Sequence, residues 1–556
     1  MELTVALTGA LPAVIIVSAV LTAIVSVFLL WLYRRAVVRA MSGQAGIAAI
    51  PKQSDSPAIA GQSGVSPVLA IIDASSRPEL ASHGGAAYRQ AKHSLNRSAG
   101  IYALGGLVYA LVLTSAWMVT AGGGFIVLRF LLLLSYYSWP MVLAMGLLVP
   151  GNKVRIVTAY FATILVIACV TLFRNADLTV GQVAYLWLFV NGPGSLLLLA
   201  FLNRHVRAVG PLVLSFMVAA VTGAVIVVNI VGSSEGLMRG VAGAGFAIGL
   251  EATTIFVLLH LAGFALFGLL GWPLLRWLGR RYQDKKMSDQ SISLAALWLL
   301  FGVLHSFTLV FENWMWIFTG PVAFVAYKLT VRCGFSVLAG QQRTDDPGST
   351  LLLLRVFALG KKSQRLFDVI SKVWLHSGSI SLIAGPDLVT ATVEPHEFLD
   401  FIGGRLSRQF VQGEKDLVQR VSHLDTKPDP DGRHRVNEFF CRADTWQMAM
   451  EQLAQRCDAV LMDLRSFSKS NRGCLYELSH LMNSIPLERV LLVIDDSTDQ
   501  AFLEMTVREI WQNLEVTSPN AALSRPVVRC FAVKGHDPLE MEKLLLMLFG
   551  ARAAVA

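Results

Sequence analysis

Nine apolar runs, each long enough to cross a bilayer, constrain this chain more than any other feature. They fall at about 10–33, 101–120, 124–149, 155–173, 180–202, 209–231, 252–275, 291–310 and 314–332. A hydrocarbon core takes about 20 apolar residues of helix, and inside it every backbone amide must be satisfied within the protein. Residues 1–340 therefore read as an α-helical polytopic membrane bundle. The first run is not expected to be a cleaved signal, because its basic residues Arg34 and Arg35 follow the apolar stretch.

Charge is distributed unevenly around these runs. Residues 1–340 carry 22 basic and 10 acidic side chains, whereas residues 341–556 carry 25 and 28. The whole chain is 15% charged, against about 25% for soluble domains. This excludes a wholly soluble enzyme, a disordered chain and a nucleic-acid binder driven by bulk basicity, so no nucleic-acid partner is expected. Lys and Arg mark the inner side of a membrane protein. One alternating set of connections holds seventeen of them, and the opposite set holds only Arg174 and Arg239. The N-terminus is thus expected outside and the 34–100 loop inside. After nine crossings the C-terminal domain is cytoplasmic, in a bacterial inner membrane. The 34–100 loop is rich in Gly, Ala, Ser and Pro and reads as a linker, with a short helix near 86–97. Arg276 to Lys286 has an alternative reading as a polybasic lipid-binding patch.

Several groups inside the bundle are functional candidates. Asn191-Gly192-Pro193-Gly194 is expected to break the fifth helix at membrane depth, as at transporter sites, or else to mark a packing kink. Arg129, Glu251, His260 and His305 are ionisable groups in or near apolar spans. Arg129 and Glu251 both fall near the outer boundary, where they either pair or snorkel. Gly245-x-x-x-Gly249 suits close helix contact.

From about residue 350 short apolar runs alternate with amphipathic stretches. Strands are expected at 350–359, 379–385, 458–465, 489–495 and 526–533, with helices at 363–376, 395–412, 445–456, 474–484, 499–514 and 537–549. This alternation predicts an α/β domain with a parallel, flavodoxin-like five-stranded sheet and ligands at the carboxyl ends of its strands. Residues 413–444 are polar and read as an extended insertion. The loop after the third strand, Ser466 to Arg472, leads into a helix where Glu477 interrupts an apolar face of Leu475, Leu478, Leu481 and Met482. A carboxylate there suits a ribose contact or an oxocarbenium-like centre; its alternative role is a helix N-terminal acid. The six cysteines form no C-x-x-C pair, so neither a metal site nor a disulfide framework is expected.

The stretch 457–481, CDAVLMDLRSFSKSNRGCLYELSHL, resembles the central motif of Toll/interleukin-1 receptor (TIR) domains. Cys474, Glu477 and Leu478 match that family's helix start, and Gly473 stands where the family usually has Trp. The stretch after 350 is similar to the family's first strand, helix and second strand, and Gly385-Pro386-Asp387-Leu388 sits where the next loop begins. The resemblance covers about 350–550, interrupted by an insertion at about 386–444. It implies a TIR-like domain that takes NAD as substrate and hydrolyses its nicotinamide–ribose bond, with Glu477 catalytic. It also implies that Asp387, Ser466, Ser468, Ser470, Asn471 and Arg472 contact the nucleotide, and that the domain forms a homo-oligomer. Glu477 is similarly placed to the nucleophile of nucleoside deoxyribosyltransferases. A membrane sensor coupled to this domain is the leading expectation. The alternatives are a non-catalytic, self-associating signalling scaffold, and a transporter or channel with a regulatory domain.

Overall fold

A computed structural model describes residues 2–42, 69–74, 84–122, 124–310, 312–339, 348–356, 361–385, 393–535 and 537–553. The chain divides into two compact units that interleave in sequence. One comprises Met1–Leu32, Arg97–Gln342 and Val393–Ile402; the other comprises Tyr33–Asn96, Arg343–Thr392 and Gly403–Ala556. The single boundary expected at 340 is therefore replaced by several.

Among the described residues of the whole chain, nine helices are long and apolar enough to cross a membrane. They are Pro12–Met41, Gly85–Thr120, Val127–Leu148, Lys153–Arg174, Val180–Phe201, His205–Ser233, Ala252–Gln283, Asp289–Phe307 and Trp314–Val337. Large apolar side chains face outward, Phe173 at 93% and Leu269 at 74% exposure. Such a surface is costly in water and suited to lipid. Inside the first unit, glycines set the closest approaches. A Cβ on Gly263 would lie 2.7 Å from the Gly223 carbonyl, and one on Gly320 would lie 1.9 Å from that of Gly302. Two expectations are corrected here. The Asn191–Gly194 stretch does not break its helix, which runs continuously through Pro193; Gly194 instead admits the Phe301 ring, 2.5 Å from where its Cβ would sit. Of Gly245 and Gly249, only the first packs closely, against Ile255. Gly249 has φ of +79°, a left-handed turn residue ahead of the next helix.

The second unit is built on a fully parallel seven-stranded sheet: β1 (Ala70–Asp73), β2 (Ser349–Arg355), β3 (Gly378–Ile383), β4 (Val436–Phe439), β5 (Ala459–Asp463), β6 (Val490–Ile494) and β7 (Val527–Ala532). The order is β1-β7-β6-β5-β2-β3-β4. Central strands such as AVLMD are buried at every position, which explains their unbroken apolar character. One face is covered by Leu453, Leu478, Leu481 and Val507. The other holds Phe367, Trp374, Leu548 and Phe549, joined by Tyr88, Ala91 and Leu95.

The sheet is not the expected five-stranded one. The five expected strands stand in the order 2-1-3-4-5 among themselves, and two more have been added at the edges. Within the presumed linker, Ala70–Asp73 pairs with β7, Ala70 opposite Val527. The expected short helix near 86–97 is the start of one long helix, Gly85–Thr120. The 413–444 segment is not an extended insertion either. It contains the helix Glu414–Ser422 and β4, which pairs with β3. Its charged run is buried because it is internally paired: Arg435 grips Asp429 through Nε (3.0 Å) and Nη2 (2.7 Å).

Candidate functional site

In a parallel sheet the chain reverses its direction of travel at one point, and side chains from the two strands there face a common crevice. Here β2 leads to β3 and β4 on one side, then the chain crosses to β5 and continues to β6 and β7 on the other. The crossover lies between β2 and β5. Their last residues, Arg355 and Asp463, stand opposite each other in register. Each apolar strand thus ends in a charge at the carboxyl edge.

Both charges are buried. Arg465 grips Asp463 through Nε (2.7 Å) and Nη2 (2.6 Å). The Arg465 Nη2 also donates to the Lys362 carbonyl at 3.1 Å. Ser363 Oγ reaches Asp463 at 3.5 Å, and Lys362 Nζ pairs with Asp495 at 3.0 Å. Burial alone would raise the Asp495 carboxyl, but hydrogen bonds from Ser497 and Lys362 outweigh it and hold the group below its ordinary value. Arg355 Nη1 donates to the Ile383 carbonyl at the end of β3, 3.3 Å away.

Glu477 joins this edge from the helix Arg472–Ser484. It is 2% exposed, and its Oε2 has no hydrogen-bond partner. Burial raises its carboxyl from 4.5 to about 8, partly opposed by the charge of Arg355. Burial, aided by the Glu477 and Asp463 charges, also pushes up the neighbouring Cys474 thiol.

The loop before that helix bonds largely to itself. Ser466 has φ of +60°, a strained position for a residue with a Cβ. Its Oγ meets that of Ser497 at 2.8 Å. Asn471 Oδ1 accepts from the Ser468 amide at 2.9 Å, and the Ser468 and Ser470 hydroxyls are 2.9 Å apart. Arg472 is exposed. Asp387 lies outside the described residues. The expected nucleotide contacts are therefore at the carboxyl edge for Ser466 to Arg472, with the side chains of four of the five hydrogen-bonded to nearby loop residues.

Comparison with protein-family models, with curated proteins and with solved structures finds no match. Among the described residues, no group of three or more His, Cys, Asp or Glu stands close enough to hold a metal.

In the apolar bundle the candidates separate into two groups. Asn191 and His305 are both fully buried and meet at 3.0 Å, from Nε2 to Oδ1. Asn191 Nδ2 donates to the Tyr136 hydroxyl at 2.7 Å, so its carbonyl oxygen faces His305 and Nε2 carries the proton. Nδ1 then accepts from Tyr109 at 3.1 Å. Pro193 lies on the same helix without a break. Arg129, Glu251 and His260 do not join this network. Arg129 donates to the Gly122 carbonyl at 3.4 Å instead of pairing with Glu251, which is exposed. His260 bonds its own helix at Phe256, 2.9 Å away.

The residues that sequence reasoning passed over are Arg355, Asp463 and Arg465; Lys362 and Asp495 stand in the loops just after strands, where ligands were expected. A detectable signal existed: LLLLR and AVLMD are apolar strands that close on a charge. Tyr109 and Tyr136 carried no such mark, being aromatic residues in aromatic-rich helices.

Proposed function

We propose that this chain is an integral protein of a bacterial inner membrane whose cytoplasmic, TIR-like α/β unit binds a nucleotide at the carboxyl edge above β2 and β5 and cleaves its N-glycosidic bond, with NAD as the substrate. Glu477 carries the proposal. Buried carboxylates are almost always paired, and one left with an unpartnered oxygen, a raised pKa and a nearby arginine at a sheet crossover has the character of a functional group. The left-handed Ser466, in the loop that leads into the Glu477 helix, adds backbone strain at the same edge.

The chemistry follows from charge. Near pH 7 Glu477 is mostly protonated, since its pKa is about 8. The nicotinamide ribosyl group is cationic, and its approach favours the ionised carboxylate. The carboxylate then stabilises the oxocarbenium-like ribose as neutral nicotinamide leaves, and water adds to the anomeric carbon with release of a proton. Substrate charge thus switches on the group that uses it.

A second reading is favoured by the 2% exposure of Glu477 and the self-bonded 466–471 loop: a non-catalytic domain that acts by self-association. Incubating the full chain in detergent with NAD and measuring nicotinamide release separates the two. Release by the wild type, reduced at least ~100-fold in Glu477→Gln, is expected for the enzyme. No release from the wild type in either dispersed or clustered protein would overturn it and leave the second reading.

A further inference from the structure

One end of the helix Ala252–Gln283 carries a compact cationic and aromatic group that the nucleotide chemistry does not use. The Arg281 guanidinium lies over the Trp277 ring, 5.0 Å from its centroid, and that of Arg276 lies 5.5 Å from Trp272. Arg281 also acts electrostatically on Lys328 of the helix Thr319–Ala339. Two like charges in one another's field inside a largely apolar unit are unfavourable unless an anion joins them. The Arg281 Nε is buried and has no hydrogen-bond partner, which leaves a strong donor unsatisfied. The nearby carboxylate of Asp284 is taken by Lys286 at 3.1 Å.

What leads up to this group is apolar and exposed. Leu270, Leu274 and Trp277 precede Arg281 at spacings that share one helix face, and all three are exposed. Val325 and Leu329 flank Lys328 and are likewise exposed. An apolar track ending in an arginine over an indole, with a lysine of the next helix in its field, has the shape of a lipid: acyl chain along the track, phosphate at the cationic end, aromatic ring at the interface between them.

We propose that Arg281 and Lys328, with Trp277 beneath the guanidinium, bind the phosphate of an anionic phospholipid. A zwitterionic headgroup brings its own cation into the repulsive pair, so it binds less well. A free phosphate lacks the chain that would use the apolar track. The inference needs the helices to lie in a bilayer but is independent of whether Glu477 is catalytic.

Native mass spectrometry of the full chain, exchanged in detergent against equal phosphatidylglycerol and phosphatidylcholine, tests it. Two cations are expected to give about 30-fold preference for phosphatidylglycerol, falling to near parity in Arg281→Gln/Lys328→Gln. Arg239→Gln, whose parent is paired with Glu235 elsewhere, should retain the full preference. Raising salt on the wild type should weaken the preference, which tests the electrostatics without any variant. Parity in the wild type, an unchanged preference in the double variant or insensitivity to salt would each overturn the proposal. Displacement of the lipid by inorganic phosphate alone would also overturn it, in favour of a soluble anion.

Discussion

Glu477 couples the α/β unit to pH. Its folded-state pKa of about 8 lies above the ordinary 4.5, so the native state holds a proton that the unfolded chain releases. The resulting stabilisation is complete below about pH 4.5 and is lost as pH rises through about 8. Thermal unfolding across pH 5 to 9 should therefore show a falling midpoint in the wild type and a flatter one in Glu477→Gln. Equal slopes would mean that the carboxyl is not desolvated. At the other polar centre, His305→Ala should remove the partner of the Asn191 carbonyl oxygen and of the Tyr109 hydroxyl. That should cost about 1–3 kcal/mol, whereas Arg129→Ala should cost little. Thermal unfolding of the two variants in one detergent compares them. Glu477 was legible in the sequence because a lone carboxylate stood in an apolar helix face. Its neighbour Arg355 was legible only as a charge closing an apolar strand, since nothing local says which distant groups a terminal arginine will meet. The same holds for Asn191 and His305, which are separated by 114 residues and hydrogen-bonded in space.

At the level of elements, the five central strands were legible because burial on both faces demands unbroken apolar runs. The two edge strands escaped. AIID and VNEF are four residues each, too short and too mixed to stand out from their polar surroundings. β1 nevertheless contributes a ladder. Ala70 N–H donates to the Pro526 carbonyl at 3.0 Å, and with a period of two the Ile72 amide faces the same strand. Ile72→Pro should detach β1 and raise protease sensitivity near residue 70, while Ile71→Thr, which keeps the amide, should not. Limited proteolysis of the full chain gives the readout. The helix Pro395–Ile402 was expected as part of a longer 395–412 helix, but it ends early and packs within the bundle unit. Leu399 Cδ1 lies 2.5 Å from where a Cβ of Gly279 would be. Gly279→Leu should therefore expel it, seen as new cleavage within 393–402.

For the whole molecule, the charge asymmetry around the apolar runs makes a directional prediction. Asp177→Cys and Gly236→Cys lie in connections expected outside, and Glu414→Cys lies in the α/β unit expected inside. In intact cells an impermeant maleimide should label the first two, and should reach the third only after permeabilisation. The reverse pattern would invert the topology. The number of membrane-length helices was plain from the sequence because lipid leaves no other way to bury a backbone. The interleaving of the two units was not. It depends on short segments such as Ala70–Asp73 pairing with distant parts of the chain.

The pairing of Ala70 with Val527 also has a consequence in time. A ribosome adding ~5–20 residues per second makes about 450 residues between these partners, which takes roughly 20 to 90 s. Throughout that interval the first strand of the sheet exists without the neighbour it will pair with. A newborn chain therefore spends most of its synthesis with an open claim on its own far end.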